Sequence, residues 1–257
     1  MKKNSIKLIL VSLMMMLVMT GCQASELNDK EIFANAITQN SEAKYSDSTI
    51  KINLKVKTDD IEMDAIQLDI KSKADLTDKD NIKMQLDSDA VLLGMDVKTK
   101  LYYMDGYMYN DFDGYKSKSE MSLEDFMLEE AFQINLISLD KVQQYTFEEK
   151  EDSYVYNIDI SLEYLQELLS SSSDIGDDLF NEDLLGGEVT VNELSAVVVV
   201  SKDNYILSQS LVMSITKQEE DGESVLGMEV ETVYNSINEP VEIEIPDIDE
   251  YNTVDNE

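Results

Sequence analysis

From Ile50 to Lys57 the chain alternates without a break: Ile50, Ile52, Leu54 and Val56 stand between Lys51, Asn53, Lys55 and Lys57. A period of two sends the aliphatic side chains to one face and the polar ones to the other, so the segment reads as a strand with one dry and one wet face. A helix would scatter both sets around its circumference. The pattern recurs. Ile61, Met63 and Ala65 open a second strand whose apolar set then changes phase to Ile66, Leu68 and Ile70, the shift of face that a β-bulge produces. Ile82, Met84 and Leu86 give a third strand and Met95, Val97 and Leu101 a fourth. Tyr102 to Tyr109 form a hairpin closed on Asp105-Gly106, a dipeptide that accepts the positive φ angles of a two-residue turn. Further strands are expected through Val142 to Phe147, Tyr154 to Ile160, Val197 to Val200, Leu207 to Ile215, Leu226 to Tyr234, and Val241, Ile243 and Ile245 before Pro246.

Three stretches have a helical period instead. Asn28 followed by Glu31 is a capping-box spacing ahead of Ile32, Phe33, Ala36 and Ile37, and predicts a helix over 28–42. Ser122 with Asp125 caps a second, whose Leu123, Phe126, Met127, Ala131 and Ile134 share a face and which ends near 138. Ser161 caps a third, with Leu162, Leu165, Leu168 and Leu169. Ser170 to Gly187 is serine-rich, then acidic, and reads as a mobile loop. Strands outnumber helices, and the connections are of hairpin length. The fold class is therefore α+β with a mainly antiparallel sheet, in one domain over 28–247, followed by an acidic tail at 248–257 expected to be disordered.

Ahead of the domain, Lys2, Lys3 and Lys7 precede the apolar run Leu8 to Met19, which is too short to span a bilayer comfortably. Thr20-Gly21 then stands before Cys22, the chain's one cysteine. This layout resembles the lipobox of bacterial lipoproteins, with Met19 where leucine is usual. The resemblance implies that residues 1–21 are a cleaved signal and that Cys22 carries a diacylglycerol thioether, followed by a short tether at 22–27. A lone thiol has no internal disulfide to form, so lipidation gives it a role. The expected location is the outer face of the cell membrane, lipid-anchored, because two or three acyl chains hold a protein there stably.

Loss of Lys2, Lys3 and Lys7, with no acid, would move the formal charge from −34 to −37. Such a surface repels nucleic acid and anionic headgroups within a Debye length of about 10 Å. The chain has no histidine, which excludes Ser-His-Asp and Cys-His catalysis and histidine-based zinc sites. Paired carboxylates or a Ser-Lys dyad remain, but acids, serines and lysines are too plentiful here for proximity to mean chemistry. No enzyme, no cofactor and no metal is expected. Asp111-Phe112-Asp113-Gly114 with Glu120 matches the back of an EF-hand loop, but its first ligand position falls on Tyr109, so it reads as a strand-end turn. Asp174, Asp177, Asp178, Glu182 and Asp183 (loop 174–183) could gather calcium; a solvated acidic loop is the simpler reading.

An N-terminal helix after the anchor, long meander strands, the aromatic hairpin Leu101-Tyr102-Tyr103-Met104-Asp105-Gly106-Tyr107-Met108-Tyr109, and closure near Glu244-Ile245-Pro246-Asp247 resemble the LolA, LolB and LppX-type lipoproteins. Within that group the chain is most similar to lipoproteins of low-GC Gram-positive bacteria (Firmicutes). The resemblance implies a strongly curved half-barrel with helices packed on its concave face, over a cavity that takes an acyl chain. Leu123, Phe126, Met127, Ile134, Leu162, Leu165 and Leu169 would line it. Fourteen methionines, most of them beyond the signal, suit such a lining. LolA uses an arginine in its cavity and this chain has none, so that release cycle is not expected here. Two readings stay open: a carrier of a lipid or other amphiphile, or an interaction module with a filled core that binds a cell-wall component or a protein partner.

Overall fold

The computed structural model describes residues 28–58, 61–78, 81–122, 137–164, 189–219 and 222–254. One helix, α1 (Asp29–Ser41), is followed by the strands β1 (Tyr45–Thr58), β2 (Ile61–Asp75), β3 (Lys83–Leu92), β4 (Met95–Met104), β5 (Tyr107–Phe112), β6 (Tyr115–Glu120), β7 (Gln144–Glu149), β8 (Ser153–Asp159), β9 (Val189–Ser201), β10 (Ile206–Glu219), β11 (Gly222–Ile237) and β12 (Asn252–Thr253). These form one open, curved sheet in the order β12-β6-β5-β4-β3-β2-β1-β11-β10-β9-β8-β7. Every neighbouring pair is antiparallel except β12 with β6.

The phase change in β2 is a bulge. Leu54 pairs with Ile66 and Lys55 with Asp64, so Ala65 is the extra residue and Met63 and Ile66 both reach the dry face. Asp105-Gly106 and Asp113-Gly114 close the β4–β5 and β5–β6 hairpins with φ of 54° and 77°, and 49° and 87°. Asp111 accepts a hydrogen bond from Gly114 N–H at 3.0 Å, so its carboxylate serves the strand-end turn. The β3–β4 turn adopts the same backbone with Leu93-Gly94, at 49° and 82°. A leucine in the left-handed region costs about 1 kcal/mol more than glycine there.

α1 carries both halves of its capping box: the Asn28 side chain accepts from Glu31 N–H at 3.0 Å, and the Glu31 carboxylate accepts from Asn28 N–H at 3.1 Å. The helix buries Ile32, Phe33 and Ala36 against the dry face of β8 to β11. Tyr156, Ile158, Val198 and Val200 are the centre of that core, each at most 1% exposed. The far half of the same face has a smaller core of Ala74, Met84, Leu86 and Tyr103.

Two expectations for the C-terminus are corrected. Val241, Ile243 and Ile245 alternate like a strand, yet 238–247 joins no strand. Its path crosses the wet face instead: Lys73 Nζ donates to the Glu242 carbonyl at 3.0 Å, and Glu244 N–H donates to the buried Gln85 Oε1 at 3.0 Å. Both neighbours of β1 are already taken by β2 and β11, and Pro240 and Pro246 have no N–H to give a ladder. The acidic tail, expected to hang free, is docked up to residue 254. A 3-10 turn at Ile248–Glu250 delivers Tyr251 into a cluster with Tyr102, Met104 and Tyr109, its ring 5.4 Å from that of Tyr109 and edge-on. β12 then pairs with β6, and Val254 N–H donates to the Lys118 carbonyl at 2.8 Å. The strap covers an edge that would otherwise expose unpaired backbone groups. Composition hid this because a single tyrosine outweighs its acidic neighbours.

Burial pushes the phenols of Tyr102, Tyr109, Tyr156, Tyr234 and Tyr251 above the ordinary tyrosine range. Below about pH 10 these groups are protonated in both the folded and the unfolded chain and contribute no pH dependence. Above it the unfolded chain releases protons that the folded one retains, so stability falls as pH rises toward the folded values. Urea midpoints are therefore expected to decline from pH 9 to pH 11, and a midpoint constant over that interval would contradict the burial of these phenols.

Candidate functional site

The dry face is built by cross-strand rows that run from β9 to β4. One row joins Ala196, Leu211, Val230, Ile52, Leu68, Ala90 and Val97; the next joins Leu194, Met213, Met228, Leu54, Ile66, Leu92 and Met95. Burial changes along each row. Ala196, Leu211 and Val230 lie under α1 at 8% exposure or less, whereas Ile52, Leu68, Ala90 and Val97 are only half-buried. The face is thus filled on the β8–β11 side and more open over β1–β4.

Two acceptors on this largely apolar face, Gln209 Oε1 and Asn110 Oδ1, are buried and have no hydrogen-bond partner among the described residues. Buried acceptors of this kind are uncommon in proteins. The rows also run outward to an exposed end: Leu92, Leu93 and Met95 at the β3–β4 turn, beside Ile61 and Met63 of β2, are exposed by 37 to 69%.

The wet face of β1–β4 carries two grooves of about 520 and 360 Å³. Lys51, Lys71, Lys98 and Lys100 line the larger with Asp69, Asp87 and Asp89, so its chemistry is polar and it carries both signs of charge. Lys98 and Asp89 are 3.0 Å apart, and both are well exposed. No group of three or more acids, cysteines or histidines among the described residues has the geometry of a metal centre.

Of the residues expected to line a cavity, Leu162 is described. It is half-buried in the helical turn 162–164, where Tyr164 N–H donates to the Ser161 hydroxyl at 3.2 Å. Leu123, Phe126, Met127, Ile134, Leu165 and Leu169 lie outside the described residues, as do Cys22 and the acidic loop 174–183. Sequence reasoning passed over the exposed aliphatic tips of β1–β2 and β3–β4. The signal for them was Leu93-Gly94 at a turn whose two sister turns carry Asp-Gly.

The sequence profile of the family described as "Family of unknown function (DUF6612)" matches residues 28–249. The chain belongs to this family. No curated protein matches it. Among solved structures, this DUF6612 chain is similar to LprF from Mycobacterium bovis, at 11% identity and a TM-score of 0.45 over 84% of this chain and 96% of that one. It is also similar to a LolA superfamily protein from Nitrosomonas europaea, at 8% identity and a TM-score of 0.25 over 80% of this chain and 92% of that one. A DUF1329 family protein from Desulfovibrio piger follows at 11% identity and a TM-score of 0.25, over 79% and 90% of the two chains.

Proposed function

We propose that the chain is a lipoprotein held by lipid on Cys22 at the outer face of the cell membrane, where its domain binds a lipid or another amphiphile without catalysing a reaction. The observation that carries this reading is the gradient along the dry face, filled under α1 and half-open over Ile52, Leu68, Ala90 and Val97. An acyl chain laid on those residues would remove apolar surface from water at about 25 cal/mol per Å². The unpartnered Asn110 Oδ1, opposite Leu101 of β4, favours a ligand that also carries a hydrogen-bond donor, hence an amphiphile and not a plain hydrocarbon.

A second reading, a module that binds a wall component or a protein, is supported by the polar groove around Lys51, Lys71, Lys98 and Lys100 on the opposite face. The two separate in native mass spectrometry with lipid extraction, on the chain from Ser25 onward purified without detergent from a bacterial host. A stoichiometric co-purifying lipid is the expected result. Bare protein that also refuses added lipid probes would end the carrier reading and send attention to the polar groove.

A further inference from the structure

The polar trough on the wet face of β1–β4 changes sign along its length. Its two grooves, of about 520 and 360 Å³, join through Asp69, Asp89 and Lys98, which line both. The strand register sets their charges in rows across the sheet. The first joins Lys71, Asp87 and Lys100, two cations and one anion, for +1; the second joins Lys51, Asp69, Asp89 and Lys98, for zero; in the third, Asn53, Gln67 and Val91 lead to Asp96, for −1. Successive rows are two residues apart along each strand, so the end rows stand about 13 Å from each other.

The first row remains the positive one when its flanks are counted. Glu231 extends the second row and Glu229 the third, while Asp111 and Lys116, which extend the first, cancel. Ahead of the first row lie Lys73, Lys118 and Asp47, with Glu242 and Glu244 of the C-terminal strap beside Lys73 and Gln85. Past the third, Lys55 stands opposite Asp64 and Lys57 opposite Glu62.

Few of these groups satisfy one another. Lys98 and Asp89 pair, but Lys51, Lys71, Lys100, Asp69 and Asp96 make no ion pair among the described residues. Asp87 adds an independent observation. Gln85 Nε2 donates to its Oδ2 at 2.9 Å and is itself held by the strap, whose Glu244 N–H donates to Gln85 Oε1 at 3.0 Å. The carboxylate is thus fixed, yet its Oδ1 is shielded from water and has no hydrogen-bond partner among the described residues. An acceptor left in that state costs stability until something donates to it.

We propose that this trough binds a short zwitterionic peptide, its C-terminal carboxylate on Lys71 and Lys100, its N-terminal ammonium at Asp96, and a backbone N–H on Asp87 Oδ1. The chain's charge of −34 repels a ligand of net negative charge and the lysine row repels a plain cation, which leaves a molecule carrying both signs. A single amino acid has its charges one residue apart and cannot reach both end rows, whereas about four extended residues span 13 to 14 Å. The larger groove, at about 520 Å³, has the volume of a small-ligand site. The peptide site rests on the second reading, in which this groove is the binding face, and is independent of lipid on the opposite face.

The test is calorimetric titration of the full lipidated chain, in phosphatidylglycerol nanodiscs, with tetraalanine. Saturable binding is expected. Acetylating the peptide's N-terminus or amidating its C-terminus should each weaken it about fivefold, the upper range for an exposed ion pair, and alanine and glycerophosphoethanolamine, too short to touch both end rows, should lose as much. Two variants fix the orientation. In Lys71→Gln combined with Lys100→Gln, amidation should no longer matter while acetylation still does; in Asp96→Asn the reverse is expected. All three side chains are exposed, so neither variant disturbs the core.

Tetraalanine that binds no better than its doubly blocked form, or variants in which both effects of blocking persist, overturns the peptide site. Glycerophosphoethanolamine binding as tightly as tetraalanine overturns it too, in favour of a lipid headgroup. Retention of the chain on purified cell-wall sacculi separates the readings. If tetraalanine fails but retention is lost on replacing Lys71 and Lys100, the groove still binds a wall component and only the peptide is wrong; if the chain is not retained at all, the groove's part in wall binding falls as well.

Discussion

Tyr156→Ala is expected to cost the domain about 4 kcal/mol, the upper range for truncating a large aromatic in a packed core. Tyr156 is fully buried, with its ring 5.0 Å from Phe33 of α1 and 5.2 Å from Phe147 of β7. Its hydroxyl donates to the Asp29 carbonyl at 2.7 Å, which ties the first turn of the helix to β8. One side chain therefore joins the helix, the edge hairpin and the sheet. Tyr156→Phe keeps the rings and loses the single hydrogen bond, for about 1 kcal/mol. Urea unfolding of both variants measures the difference: the midpoints should fall in that order with the slope unchanged. If alanine costs no more than phenylalanine does, the aromatic junction is not what fixes α1 to the sheet.

Cys22→Ala is expected to abolish incorporation of labelled palmitate, the largest effect predicted here and a direct trial of the proposed anchor. The energetics are lopsided. Each buried methylene contributes about 0.8 kcal/mol, so one acyl chain holds a protein marginally while two hold it for practical purposes permanently. Exchanging residues 1–24 for a general export signal should accordingly move the protein from the membrane fraction to the medium, because the exchange removes the proposed lipid anchor. Palmitate retained in the alanine variant, or a membrane-bound chain after the exchange, would refute lipidation at this cysteine.

The strands were legible because their periodicity is strict. Ile50 to Lys57 and Leu226 to Tyr234 admit one face assignment each, and Asp105-Gly106 marks its turn unaided. The bulge at Ala65 was legible for the same reason, as a change of phase. What escaped was decided by distant partners. Val241, Ile243 and Ile245 have the right alternation but no free strand to pair with, and Tyr251 sits among acids whose composition suggests disorder although Tyr102 and Tyr109 wait for it across the sheet. The candidate site was less legible than the fold. Six of the seven residues named for it lie outside the described residues, and the exposure of Leu93 depends on a turn whose sequence looks like ordinary strand.

The place of β1 in the sheet bears on how the chain acquires its structure in time. β2 to β6 are a run of neighbouring hairpins, and β7 to β11 also follow in order, with one longer connection from Asp159 to Val189 between β8 and β9; apart from that connection each run can zip from local contacts as it emerges. The two are joined at the single seam between β1 and β11, where Ser46 meets Ile237 across almost the whole length of the domain. Closing that seam carries most of the loop entropy and comes last. Until β11 arrives, β1 offers an unpaired edge to any passing strand. A chain cut short before Gly222 should therefore yield two half-sheets prone to join edges with other molecules, and the intact chain should fold in one slow, late step governed by its final third.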